Sequence, residues 1–82
     1  MKRIIVADDD ELQRTARSGF LSKHYGIPVD VVEDGDELVK KVQEGGYDFI
    51  VTDYKMPVCD GIEAVEQIRT FNPTICIVMV SG

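Results

Sequence analysis

Four polar residues stand directly after short apolar runs, and their types could do chemistry together. They are three carboxylates and one hydroxyl: Asp8, Asp9, Asp53 and Ser81. Carboxylates held about 4–6 Å apart repel, and each close pair costs on the order of 3–4 kcal/mol at an effective dielectric near 20. A bound cation would offset that cost. Because the donors are hard oxygens, Mg²⁺ is the preferred ion, with Mn²⁺ as an alternative, and Mg²⁺ in such sites commonly binds phosphate.

The elements that position these residues can be read from hydrophobic periodicity. Four runs rich in Val and Ile predict strands: Ile4–Ala7, Val29–Val32, Phe49–Thr52 and Ile75–Val80. Three amphipathic stretches between them predict helices. Their apolar faces carry Leu12, Ala16 and Phe20, then Leu38, Val39 and Val42, then Ile62, Val65 and Ile68. This βαβαβαβ alternation predicts a parallel sheet whose strands present their carboxyl ends at one ligand-binding edge.

Local signals support the predicted helix ends. Each helix follows an aspartate that we expect to be its N-cap, namely Asp10, Asp34 and Asp60. The expected stop signals are Gly26 with Pro28, Gly45 with Gly46, and Asn72 with Pro73.

The predicted strands differ in how they are expected to be covered. Val29–Val32 alternates in polarity, which suits an edge strand. Ile75–Val80 is apolar at every position, which suits a strand covered on both faces and flanked on both sides, although the sequence ends two residues later.

Composition narrows the classes of function. A chain of 82 residues with 44% hydrophobic and 29% charged residues is expected to form one globular domain, over residues 1–82. Its net charge of −6 and lack of a basic cluster argue against nucleic-acid binding. No apolar run is long enough to span a membrane, and we expect a cytoplasmic protein without membrane attachment. Cys59 and Cys76 lack the spacing of a zinc site or a disulfide framework.

Three segments together resemble the response-regulator receiver domains of two-component signalling. Ile4–Asp10 resembles their first strand and acidic pair, and Asp53–Pro57 followed by Asp60-Gly61 resembles their phosphoacceptor strand end and loop. Val80–Gly82 is similar to their fourth strand with its switch hydroxyl. The resemblance extends over all 82 residues without a large gap. It implies a flavodoxin-like α/β fold, with helices on both faces of a parallel sheet in the order 2-1-3-4.

The resemblance also implies a role for each site residue. Asp53 would be the phosphoacceptor, taking phosphate from a sensor histidine kinase or a histidine phosphotransfer protein. Asp9 and Asp53 would hold Mg²⁺ directly, Asp8 directly or through water, and Lys55 through its backbone carbonyl. Ser81 would be the switch hydroxyl that reports the modification. The chain would then be a signalling phosphoacceptor and not an enzyme, at most catalysing its own phosphorylation and dephosphorylation.

The sequence departs from the receiver pattern after the fourth strand. A fifth strand, with a Lys that contacts the phosphoryl group, and the last two helices have no counterpart here. We therefore expect a truncated receiver whose own switching is impaired. The uncovered apolar surface is expected to make it self-associate as a dimer.

Two other functions compete with this interpretation. The pattern Asp8-x-Asp10, with Ser81, resembles haloacid-dehalogenase-like phosphatases, although Leu12 departs from that motif and Asp53 has no role in it. A scaffold that is not phosphorylated is the other alternative. A flavodoxin-type nucleotide binder is disfavoured, because the first βα turn is acidic and contains no glycine.

Overall fold

The computed structural model describes residues 2–80, which form four strands and three helices in strict alternation. The elements are β1 (Ile4–Ala7), α1 (Glu11–Tyr25), β2 (Val29–Val32), α2 (Gly35–Glu44), β3 (Phe49–Asp53), α3 (Gly61–Phe71) and β4 (Cys76–Val80). The predicted α/β fold class is confirmed. β1 and β2 have the predicted bounds, whereas β3 is one residue longer and ends on Asp53 itself.

All four strands are parallel, and their order is β2-β1-β3-β4. The predicted edge position of Val29–Val32 is therefore confirmed. β1 and β3 are neighbours, with Ala7 paired to Thr52 at their carboxyl ends. The register continues across β3 and β4, where Asp53 is opposite Val80.

The two faces of the sheet are covered unequally. α2 and α3 cover one face, where the core includes Leu38, Ile50 and Ile68, each fully buried. α1 lies on the other face, where a smaller cluster of Ile4, Val6 and Val51 is buried. Hydrophobic burial is thus concentrated on the side of α2 and α3.

Two of the predicted apolar helix faces are partly wrong. α1 contains no buried residue, and Leu12 and Phe20 are 82% and 66% exposed. Their four-residue spacing identifies the helix, but that stripe faces a side which no described element covers. In α3, Ile62 is half exposed while Gly61 and Ala64 face the sheet. Small residues are needed there because the helix approaches β3 closely.

The prediction that the fourth strand is covered on both faces and flanked on both sides is not met by β4 in residues 2–80. Within the described part of the chain it is an edge strand, paired with β3 alone. Cys76 is exposed and Val78 is 41% exposed, so the strand is not covered on both faces. The apolar residues of β4 indicate a strand that tends to be buried. Whether it is buried depends on another element packing against it.

The predicted aspartate caps are confirmed at all three helices. Asp10 accepts from the N–H of Leu12 at 2.9 Å, and Asp34 and Asp60 each accept from the N–H three residues ahead, at 2.8 and 2.9 Å. α1 ends at Gly26 in the left-handed conformation, with φ of 67°. No helix among the described residues is long and apolar enough to cross a membrane.

Candidate functional site

The carboxyl ends of β1 and β3 bring the three predicted carboxylates together. Asp8 and Asp9 follow β1, Asp53 ends β3, and one oxygen from each of the three lies within 4.8 Å of the others. Asp8 is fully buried, Asp53 is 8% exposed and Asp9 is exposed. The cluster is therefore anchored inside the sheet edge and open to solvent on one side.

Asp8 is fixed by hydrogen bonds at its backbone N–H and at both carboxylate oxygens. Its backbone N–H donates to the carbonyl of Val32 at 3.2 Å, which extends the β1–β2 ladder by one residue. Its Oδ1 accepts from the N–H of Asp10 at 2.9 Å, and its Oδ2 accepts from Nη1 of Arg17. Within residues 2–80, the side-chain hydrogen bonds to the three carboxylates all go to Asp8. Asp9 and Asp53 therefore keep their oxygens available to a ligand.

Asp53 is positioned by the strand and by the start of α3. The hydroxyl of Thr52, which is fully buried, donates to the Asp53 carbonyl at 3.1 Å. The N–H of Gly61 donates to the carbonyl of Tyr54 at 2.8 Å, which ties α3 to the end of β3. A Cβ at Gly61 would lie 2.0 Å from the Asp53 carbonyl oxygen, so only glycine fits this approach.

The loop after β3 forms the outer wall of the site. Lys55, Met56, Pro57 and Asp60 line an open depression together with Asp9. Met56 is buried, which anchors the loop, and the side chain of Lys55 is exposed. Val58 has a φ of 71°, a left-handed conformation that strains a β-branched residue. The loop therefore holds a tight conformation beside the acidic cluster.

The donor set of this cluster fits a hard divalent cation. It consists of three carboxylate oxygens beside an open depression lined by Asp9 and the loop after β3. Oxygens on opposite sides of one Mg²⁺ are roughly 4.2 Å apart, since each ligand lies at about 2.1 Å. The 4.8 Å limit on the present oxygen separations is close to that spacing. Ser81, the predicted switch hydroxyl, lies outside the described residues.

Arg17 contacts Asp8 directly, although its residue type and position did not mark it as a site residue in the sequence. One signal could have found it, since Gln13 and Arg17 are separated by four residues and lie on one helix face. Nη2 of Arg17 donates to Oε1 of Gln13 at 3.1 Å. Arg17 borders the apolar stripe, because it lines the same groove as Ala16 and Phe20.

The parallel sheet and the acidic cluster at its carboxyl edge define a flavodoxin-like α/β domain with a candidate metal centre. The family model described as "Response regulator receiver domain" matches residues 4–82. The chain belongs to this family, whose members are signalling phosphoacceptors rather than conventional enzymes.

Individual relatives agree with that assignment. The chain is 37% identical to a two-component response regulator of Oryza sativa subsp. japonica, covering 100% of this chain and 67% of that protein. It is 33% identical to the chemotaxis protein CheY of Halobacterium salinarum, covering 99% and 67%. It spans only 32% of the transcriptional regulatory protein ResD of Bacillus subtilis, to which it is 36% identical.

Solved structures show the same fold. The receiver domain of the histidine kinase CKI1 from Arabidopsis thaliana, complexed with Mg²⁺ and BeF₃⁻, matches with a TM-score of 0.91 and 31% identity. That match covers 99% of this chain and 66% of the other. A complex of the histidine kinase ThkA with the response regulator TrrA matches with a TM-score of 0.90 and 33% identity, covering 100% and 70%.

Proposed function

We propose that this chain is the phosphoacceptor receiver unit of a two-component phosphorelay, formed by residues 1–82, with Asp53 as the phosphorylation site. The observation that carries the proposal is the meeting of Asp8, Asp9 and Asp53 at the carboxyl edge of β1 and β3. Asp53 is the acid fixed at the end of a strand paired on both sides, and it is 8% exposed beside the exposed Asp9.

The proposed reaction is a transfer of phosphate between side chains. A carboxylate oxygen of Asp53 attacks the phosphorus of a phosphohistidine, and an acyl phosphate forms. The P–N bond breaks, and the electron pair returns to the imidazole, which takes a proton from water. A Mg²⁺ held by Asp9, Asp53 and the carbonyl of Lys55, with Asp8 direct or through water, would neutralise charge on the phosphoryl oxygens.

The protein's own contribution is to position the reacting groups. Burial of Asp53 at a rigid strand end fixes the attacking oxygen, and the tight approach of Gly61 holds the backbone behind it. Ser81 would contact the phosphoryl group and report the modification. Beyond this, the chain would at most catalyse its own phosphorylation and dephosphorylation.

The proposed partner is a sensor histidine kinase or a histidine phosphotransfer protein. The complex of ThkA with TrrA supports a kinase partner, because this chain is similar to a component of it over its whole length. A net charge of −6 disfavours nucleic acid as a partner of this unit. A cytoplasmic location stays a prediction.

Neither alternative function gains support. A dehalogenase-like phosphatase would need Asp8 as an accessible nucleophile, yet Asp8 is fully buried and paired with Arg17. Asp10, the second acid of that motif, is engaged as the N-cap of α1. A scaffold without phosphorylation would have no use for three acids held so close together.

The test of the proposed function is phosphate incorporation from acetyl phosphate or from the cognate kinase. Asp53→Asn preserves the shape of the side chain and removes its nucleophilic charge. Asp36→Asn is the matched control, since Asp36 is an exposed acid on α2 outside the cluster. We expect hydroxylamine-labile label in the wild type and in Asp36→Asn. Undiminished label in Asp53→Asn would refute the proposal.

The metal part of the proposal has a separate test. Mn²⁺ should broaden the NMR signals of residues around Asp8 and Asp53 first, because a paramagnetic ion acts over short distances. The double variant Asp9→Ala with Asp53→Ala should lose this pattern. Broadening that persists in the double variant would remove the metal site from the account.

We also propose that two copies of this chain associate through the face that α1 leaves open. Ala16, Phe20, Leu21, Phe49, Val51, Val78 and Val80 line an apolar groove there. Among residues 2–80, β4 is an edge strand paired with β3 alone, and such edges associate readily. Sedimentation at tens of micromolar should show a dimer that dissociates on dilution. A single monomeric species over that range would contradict it.

A further inference from the structure

Arg17 is a charged residue in largely apolar surroundings on α1. It lines the apolar groove, and its side chain is only 24% exposed. Its guanidinium extends from this groove to the carboxylate of Asp8, which is fully buried. Charges placed in such surroundings are costly unless they are paired. The ion pair is therefore what allows both side chains to occupy these positions.

The geometry holds the guanidinium at the carboxylate. Nη1 donates to Oδ2 of Asp8, while Nη2 donates to Oε1 of Gln13 at 3.1 Å. The other oxygen of Asp8 already accepts the N–H of Asp10 at 2.9 Å. Both carboxylate oxygens of Asp8 thus have a partner before any metal ion binds.

We propose that Arg17 is a built-in counter-ion that lowers the affinity of the acidic cluster for divalent cations. The inference rests on the proposed function, because it takes Asp8, Asp9 and Asp53 as the metal ligands. The positive charge of the guanidinium neutralises the negative charge of Asp8, one of the three carboxylates that attract the cation. A divalent ion must displace Arg17 from Asp8 or bind beside its positive charge, and either costs affinity. Arg17 is a positioning residue, which sets the cation concentration at which the site fills.

Arg14 provides a matched control one turn earlier on the same helix. Its Nη1 donates to the backbone carbonyl of Asp8 at 2.9 Å, and its Nη2 lies 3.6 Å from a carboxylate oxygen of Glu33. It therefore carries the same charge close to the site without touching the Asp8 carboxylate. Replacing it reports the general electrostatic effect of losing one cation from α1.

The experiment is calorimetric titration of Mn²⁺ and Mg²⁺ into the wild type, Arg17→Met and Arg14→Met. Methionine retains an unbranched apolar stem of similar length. We expect Arg17→Met to bind at least about tenfold more tightly than the wild type, a difference of about 1.4 kcal/mol. We expect Arg14→Met to change the affinity less than about threefold. Equal effects of the two variants, or weaker binding by Arg17→Met, would overturn the inference.

The outcomes separate this inference from the proposed function. Metal binding by the wild type with an unchanged affinity in Arg17→Met overturns only the role of Arg17. Absence of divalent binding by all three proteins overturns both.

A measurement on the wild type covers the case in which Arg17→Met does not fold. The guanidinium NMR signal of Arg17 should shift on saturation with Mg²⁺, and that of Arg14 should shift less. An Arg17 signal that does not respond to a bound cation would contradict the proposed competition.

Discussion

Gly61 makes the closest backbone approach at the site, and its replacement by alanine should disturb both the fold and Asp53. A Cβ at this position would lie 2.0 Å from the carbonyl oxygen of Asp53 and 3.0 Å from its carbonyl carbon. It would also lie 3.0 Å from Cε of Met79, which is flexible and can move. The carbonyl belongs to the backbone of β3, which is hydrogen-bonded in the sheet and cannot give way in the same manner.

The magnitude follows from the overlap. An ordinary contact of a Cβ begins at 3.4 Å, so α3 and β3 would have to separate by more than 1 Å. Forcing one extra methyl into a packed region costs about 1–3 kcal/mol, and a backbone obstacle places this case at about 3 kcal/mol. The separation would also stretch the hydrogen bond from the Gly61 N–H to Tyr54, now 2.8 Å long.

The assay is urea unfolding followed by circular dichroism at 222 nm, with a matched glycine as control. Gly19 lies inside α1 and a Cβ there would meet nothing within 4 Å. Gly19→Ala should therefore stabilise the protein by up to about 1 kcal/mol through helix propensity. Gly61→Ala should instead lower the free energy of unfolding and weaken Mn²⁺ binding, since Asp53 moves with its backbone. A Gly61→Ala protein as stable as the wild type would refute this reasoning.

Two further predictions concern a strained turn and a pH dependence. Val58→Asn should stabilise the fold by about 1 kcal/mol, because asparagine tolerates the φ of 71° better than valine does. The same urea assay measures this, and an unchanged unfolding midpoint would contradict it. Burial and the hydrogen bond to Asp30 raise the pKa of Tyr47 to about 12. Its contribution to stability is complete below its unfolded value of about 10 and is lost as the pH rises towards 12. Tyr47→Phe should remove that part of the pH dependence, and an identical stability profile would contradict it.

The parts of this fold that sequence predicts well are those set by local chemistry. The bounds of β1 and β2 follow from short Val- and Ile-rich runs, and the helix starts follow from the aspartates that cap them. The meeting of Asp8 and Asp53 follows from topology, because adjacent parallel strands end at the same edge. These features need no knowledge of side-chain packing.

The sequence predicts poorly the features that depend on contacts between residues of different helices and strands. Periodicity located α1, but it did not reveal that Leu12 and Phe20 are mostly exposed within residues 2–80. The ion pair of Arg17 with Asp8 joins residues nine positions apart across a helix and a strand. The close approach at Gly61 likewise depends on the distance between α3 and β3. None of these is encoded in local composition.

The central claim, that Asp53 is the phosphoacceptor, is tested most directly by locating the phosphate. Brief exposure to acetyl phosphate and Mg²⁺, followed by borohydride, reduces an acyl phosphate to a homoserine that mass spectrometry can place in the sequence. We expect homoserine in the peptide that contains position 53 and none in the same peptide of Asp53→Asn. Homoserine at another acid, or an unchanged yield in Asp53→Asn, would contradict the account.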